Sequence, residues 1–109
     1  MKNIKEYIKF LEKHKHLFGF AGWSFTMGYD DSVNVARVFV DYSEKVAEFY
    51  IPKSFDDRTK ENKTNILIHE LVHGRIAAYR AHLQKFIDIE EEELVNDLTR
   101  GFEELISSK

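Results

Sequence analysis

The chain has 109 residues, 43% hydrophobic, 32% charged and 14% aromatic, which fits a single domain over 1–109 with a real core and excludes a disordered segment. Sixteen Lys+Arg against nineteen Asp+Glu leave a net charge of −3, so no nucleic-acid partner is expected, because neutralising phosphates takes a clustered basic surface. Cys is absent, which excludes disulfide frameworks, thiolate metal sites and Cys nucleophiles.

Asn3 to Phe18 has the spacing of an amphipathic helix. Ile4, Tyr7, Ile8, Leu11 and Phe18 line one face, and Lys5, Lys9, Glu12 and Lys13 the other. Gly19 and Gly22 end that pattern. Trp23, Phe25, Met27 and Tyr29 then alternate with small or polar residues as in a strand, and Asp30-Asp31-Ser32 signals a turn. Val33 to Tyr42 is a second strand and Val46 to Ile51 a third, separated by the turn residues Ser43-Glu44-Lys45 and closed by Pro52. A three-stranded antiparallel meander is the simplest reading.

Lys53 to Asn62 is polar and reads as a loop, with Ser54–Asp57 as a candidate helix cap. Thr64 to Lys85 is helical, its apolar face formed by Leu67, Ile68, Leu71, Val72, Ile76 and Leu83. After a break near Phe86–Ile89, a last helix runs from about Glu90 to Ile106 on the stripe Leu94, Val95, Leu98, Phe102, Leu105 and Ile106. The fold class is therefore α+β: an N-terminal helix, the meander, and two helices. No stretch approaches the ~20 apolar residues that cross a membrane. No apolar segment follows the basic N-terminus as in a secretory signal, so a cytoplasmic protein with no membrane partner is expected.

His69-Glu70-Leu71-Val72-His73 spells H-E-x-x-H inside the longest helical segment. Helix positions four apart lie one above the other, so both imidazoles can hold one metal ion, and Zn²⁺ is the expected cofactor. Glu70, offset by one residue, is placed as the general base that takes a proton from a water whose pKa zinc lowers to ~7.

A third ligand has to come from elsewhere. The metzincin spacing fails, because Ile76 and Tyr79 stand where it needs Gly and His. His82 falls on the opposite side of a continuous helix from His73. The acidic run Glu90–Glu93 opens the last helix. Glu91 precedes Leu94, Val95 and Leu98 by helical steps and so points inward, where an unpaired carboxylate is costly and wants a cation. Glu91 is the expected third ligand, with Glu92, nearer the edge of that face, as the alternative. Asn96 and Asp97 are candidates to orient a ligating His. Arg75, Tyr79, Arg80 and His82 are candidates to stabilise developing charge. His14 and His16 read as residues at the end of the first helix, where cations are favourable.

With these residues the chain resembles the gluzincin zinc peptidases, of which thermolysin is the familiar member. It resembles more closely the small metallopeptidases of bacteriophages and prophages. Trp23-Ser24-Phe25, the strand Ala47–Pro52, the helix Ile66–His73 and the run Glu91–Leu98 carry the likeness, over about residues 23–106. Larger gluzincins use Glu-x-x-x-Asp for the third ligand and its companion. Glu93–Asp97 has that spelling and Glu92–Asn96 a variant of it, so Glu93 enters as a further contender. The resemblance implies a minimal zincin: a small sheet on the motif helix, the last helix completing the metal site, and Val46–Ile51 as an edge strand that pairs with extended peptide. It implies hydrolysis of a peptide or protein substrate, in the host cytoplasm if phage-encoded. The rival expectations are a metal-binding but non-proteolytic interaction module of a phage or host assembly, and a metal-free interaction protein.

Overall fold

Helix α1 spans Ile4–His14 and is capped by Asn3, whose side chain accepts from the Glu6 N–H. The computed structural model describes residues 1–83 and 91–107, without the side chains of 79–83, 91, 93 and 94. The expected helix over Asn3–Phe18 is divided: its last residues, Lys15–Phe18, tighten into a 3₁₀ turn. Gly19 ends that turn at φ 78°, a left-handed conformation that glycine adopts without strain. A Cβ at Gly19 would also lie 2.5 Å from Cζ of Arg75, so the guanidinium packs over bare backbone.

Three strands follow, β1 (Ser24–Tyr29), β2 (Arg37–Asp41) and β3 (Val46–Ile51). Their arrangement corrects the antiparallel meander. The sheet order is β1-β3-β2, with β1 parallel to β3 and β2 antiparallel to it. Val46–Ile51 is therefore the central strand and not an edge. Its composition explains this: Ala47, Phe49 and Ile51 are all buried, whereas β1 and β2 each bury less. The register sets Phe25 beside Ala47 and Met27 beside Phe49 on one side, with Val40 beside Ala47 and Val38 beside Phe49 on the other.

The turn at Asp30-Asp31-Ser32 forms, with the Ser32 N–H donating to Asp30 Oδ1 at 3.0 Å. It does not fold β2 back onto β1. The Asp30 N–H donates to the Ile51 carbonyl at 2.8 Å, and the Lys53 N–H donates to Asp31 Oδ1 at 2.8 Å. The chain thus steps past the end of β3, and residues 30–36 easily cover the two ~4.8 Å strand spacings this requires.

Helix α2 (Lys60–Leu83) starts four residues before the expected Thr64. Its cap is Thr59, whose hydroxyl accepts from the Asn62 N–H at 3.1 Å. Ser54–Asp57 lie instead in a 3₁₀ turn over Lys53–Asp57 that buries Phe55 edge-on against Tyr7, centroids 5.0 Å apart. The expected break near Phe86–Ile89 and the expected end at Lys85 lie outside the described residues. Helix α3 (Glu91–Ser107) follows.

The core gathers Tyr7 and Leu11 of α1, Phe25 and Phe49 of the sheet, and Leu67, Ile68, Leu71 and Val72 of α2. α2 packs against β2, α1 and α3. On α3 the buried line is Val95 and Thr99, with Phe102 and Ile106 partly buried beside them. Leu98 and Leu105, expected inside, are exposed. The inward face is thus rotated from the expected stripe. Among the described residues, no helix is long and apolar enough to cross a membrane.

One polar knot ties α1, β1 and the 3₁₀ turn together. Tyr7 Oη and Tyr29 Oη donate to the two oxygens of Asp56, and Lys53 Nζ lies 3.0 Å from Oδ2. Burial acts to raise the Asp56 carboxyl, but the hydrogen bonds from Tyr29, Tyr7 and Lys53 outweigh it and hold the carboxyl below the usual carboxylate range. A depressed folded-state pKa contributes stability above the unfolded value of ~3.9, and that stability is lost as pH falls through the folded pKa. Asp56→Ala is expected to cost about 1–3 kcal/mol at pH 7, because it strands the Tyr7 hydroxyl. Urea midpoints measured from pH 7 to pH 2 should fall less steeply below pH ~4 in this variant than in the parent chain.

Candidate metal centre

His69 and His73 stand one turn apart on α2, their ring centroids separated by 4.7 Å. Ligand atoms of His69, Glu70 and His73 all lie within 4.8 Å of one another. The carboxylate of Glu92, at the start of α3, spans the pair. Its Oε1 is 2.8 Å from His69 Nε2, and its Oε2 is 3.1 Å from His73 Nε2. The rotated face of α3 explains why this residue arrives there. Glu92 precedes the buried Val95 by three residues and the buried Thr99 by seven, so all three share one side of the helix. The side chain of Glu91, the expected third ligand, lies outside the described residues, as does that of Glu93.

Electrostatics suit metal binding. Burial and the adjacent His73 hold His69 below the usual histidine value, against the pull of Glu92. Neutral imidazole is the form that ligates. Glu70 is 8% exposed. Burial pushes its carboxyl up to about 7, with Glu92 adding to the rise and His73 and Arg37 opposing it. The donor set, two imidazole nitrogens and a carboxylate converging on one place, is one that Zn²⁺ takes readily.

The site is reached through two hollows that share Ala36, Glu70 and His73. One, of about 440 Å³, also meets His69, Glu92, Asn65, Ile66, Val35 and Asn96. The other, of about 240 Å³, is closed by Arg37, Val38 and Ala77. The segment leading into β2 walls both: Val35 and Ala36 border the larger hollow, and Ala36, Arg37 and Val38 the smaller. A Cβ at Gly74 would meet Val40 Cγ1 and Phe20 Cζ at 3.4 Å each. A hollow of about 460 Å³ lined by Thr59, Glu61, Asn62, Asn65 and Glu103 holds neither imidazole nor cation.

The remaining sequence candidates divide clearly. Asn96 borders the hollow of the histidines. Asp97 is turned to the surface, where it accepts from Arg100 at 2.6 Å, and so orients neither imidazole. Arg75 lines a separate apolar hollow with Leu17, Phe18 and Phe102, because two helical steps carry it away from His73. The side chains of Tyr79, Arg80 and His82 lie outside the described residues. His14 packs against Phe10 at the end of α1, ring centroids 4.7 Å apart and planes tilted by 60°. Sequence reasoning missed Arg37 and the β2 wall. An arginine on a strand carries no signal of its own.

The chain matches no protein-family model, no curated protein and no solved structure.

Zinc titration calorimetry tests the arrangement. His73→Ala and Glu92→Ala are each expected to weaken zinc binding about 100-fold or more, since even outer partners of a ligand are worth 10–100-fold. Glu91→Ala is expected to stay near the parent affinity, and a large loss there would restore the sequence expectation.

Proposed function

We propose that this chain is a zinc-dependent metallopeptidase of a minimal zincin type, akin to the small phage and prophage peptidases it resembles. The observation that carries the reading is the convergence of His69 Nε2 and His73 Nε2 on one carboxylate, that of Glu92, beside the buried Glu70. His69, His73 and Glu92 would hold the ion, with Glu91 as the sequence-based alternative to Glu92. When bound, zinc supplies Lewis acidity toward a peptide carbonyl and lowers the pKa of a water molecule.

Glu70 is the general base. It lies on the same turn of α2 as the ligands, and its burial makes its carboxylate oxygens strong proton acceptors. It takes the proton of the attacking water and returns it to the departing amine. β2 is the substrate wall. Among the described residues it pairs only with β3, so its other edge offers free N–H and C=O groups to an extended peptide. This reading transfers the peptide-pairing role from Val46–Ile51, which is central, to Arg37–Asp41. Ala36, Arg37 and Val38 border the hollow that also meets Glu70 and His73, so a peptide on that edge passes the catalytic pair.

The discriminating variant is Glu70→Gln. Hydrolysis of a fluorogenic peptide library by the zinc-loaded protein is expected to fall by at least about 100-fold. Bound zinc, measured by elemental analysis, should stay at one ion per chain. Equal partner binding by both proteins, with no hydrolysis by either, would favour the non-proteolytic interaction module.

A further inference from the structure

The charges of the cleft are few. Glu70, Glu92 and Arg37 are the charged residues lining its two hollows, among the described residues. A divalent ion would offset the two carboxylates, leaving the guanidinium of Arg37 as the remaining charge of the hollows; outside them, after the hydrogen bonds from Ser32, it also helps to hold the Asp30 carboxyl low. Arg37 is exposed and opens β2. Its Cζ sits 5.9 Å from the Phe39 ring, and its charge reaches Glu70.

Resting on the peptidase reading, we infer that Arg37 selects substrates carrying an acidic side chain beside the scissile bond, at the residue that pairs with Arg37 on the free edge of β2. The geometry of strand addition makes this specific. A residue directly opposite another across a strand pair projects its side chain on the same face, with Cβ atoms about 4.5–5.5 Å apart. Opposite charges in that relation attract, and like charges repel. Arg37 shares its face of β2 with the exposed Phe39, whereas Val38 and Val40 face α2, so the paired side chain projects on the outer face, away from the Glu70 carboxylate that lines the small hollow. The far hollow presents the amides of Asn65 and Asn96 and the apolar Ile66, and these impose no charge preference. Selection is therefore one-sided: acidic at the Arg37 end, uncharged at the other.

The test uses pools of acetylated, amidated octapeptides with one central position fixed as Glu, Ala or Lys and the others mixed. Hydrolysis is followed with the zinc-loaded parent chain and with Arg37→Glu. Binding is followed by fluorescence anisotropy with zinc-loaded Glu70→Gln, with and without Arg37→Glu. The Glu pool should be preferred over the Lys pool by about fivefold or more, and Arg37→Glu should reverse the order. Because Arg37 is exposed, the variant should unfold at the parent's temperature. Cleavage indifferent to the fixed residue, or a preference that survives Arg37→Glu, overturns the inference and leaves the peptidase reading standing. Binding that follows Arg37 without any hydrolysis upholds the charge selection and overturns the peptidase reading. Neither binding nor hydrolysis of any pool overturns both.

Discussion

Helix α2 has to satisfy two demands. It is the central helix of the fold, covered by β2, α1 and α3, and Ile66, Leu67, Ile68, Leu71, Val72 and Ile76 bury most of its circumference. It also has to keep two imidazoles, one turn apart, clear of that packing and open to solvent. The window left between these demands is narrow. His69 and His73 sit in it half-buried, with Glu70 just inside, and Glu92 reaches it from the start of α3. Desolvation on the core side pushes the first histidine down and the glutamate up, so the same packing that stabilises the helix shifts its polar residues.

At Gly74 the helix runs close to the sheet: a Cβ there would touch Val40 and Phe20 at 3.4 Å each. The start of β2 therefore lies beside Glu70 and His73, and the segment before it beside both histidines. The mixed sheet matters for the same reason. Had the strands formed a meander, β2 would have been the central strand, paired on both sides. Placing the most apolar strand, β3, in the centre leaves β2, among the described residues, with one edge unpaired by another strand.

Much of this was legible in the residues. The strand Val46–Ile51 has the expected bounds, the motif helix and the last helix occur where the periodicity puts them, and the two histidines share a face as their spacing requires. The strand order and the inward face of α3 came out differently for physical reasons. Strand order depends on non-local pairing, and a seven-residue connection permits either a hairpin or a step across a neighbour. The inward face of α3 was read from the stripe Leu94, Val95, Leu98, Phe102, Leu105 and Ile106. In the fold Val95 and Thr99 are buried and Phe102 and Ile106 partly so, while Leu98 and Leu105 are exposed. Glu92 shares that buried side and reaches both histidines, while the side chain of Glu91 lies outside the described residues. Arg37 was out of reach altogether, since its meaning comes from what lies across the cleft.

The central claim is that His69, His73 and Glu92 together form one zinc site. X-ray absorption at the zinc edge of the loaded chain, with Glu92→Ala beside it, tests this most directly. The expected spectrum has four N/O ligands at about 2.0–2.1 Å with the outer-shell scattering of two imidazoles. In the variant one protein oxygen should be replaced by solvent and the imidazole signal kept. A shell of six oxygens without imidazole scattering, or a chain that takes up no zinc, would contradict the account.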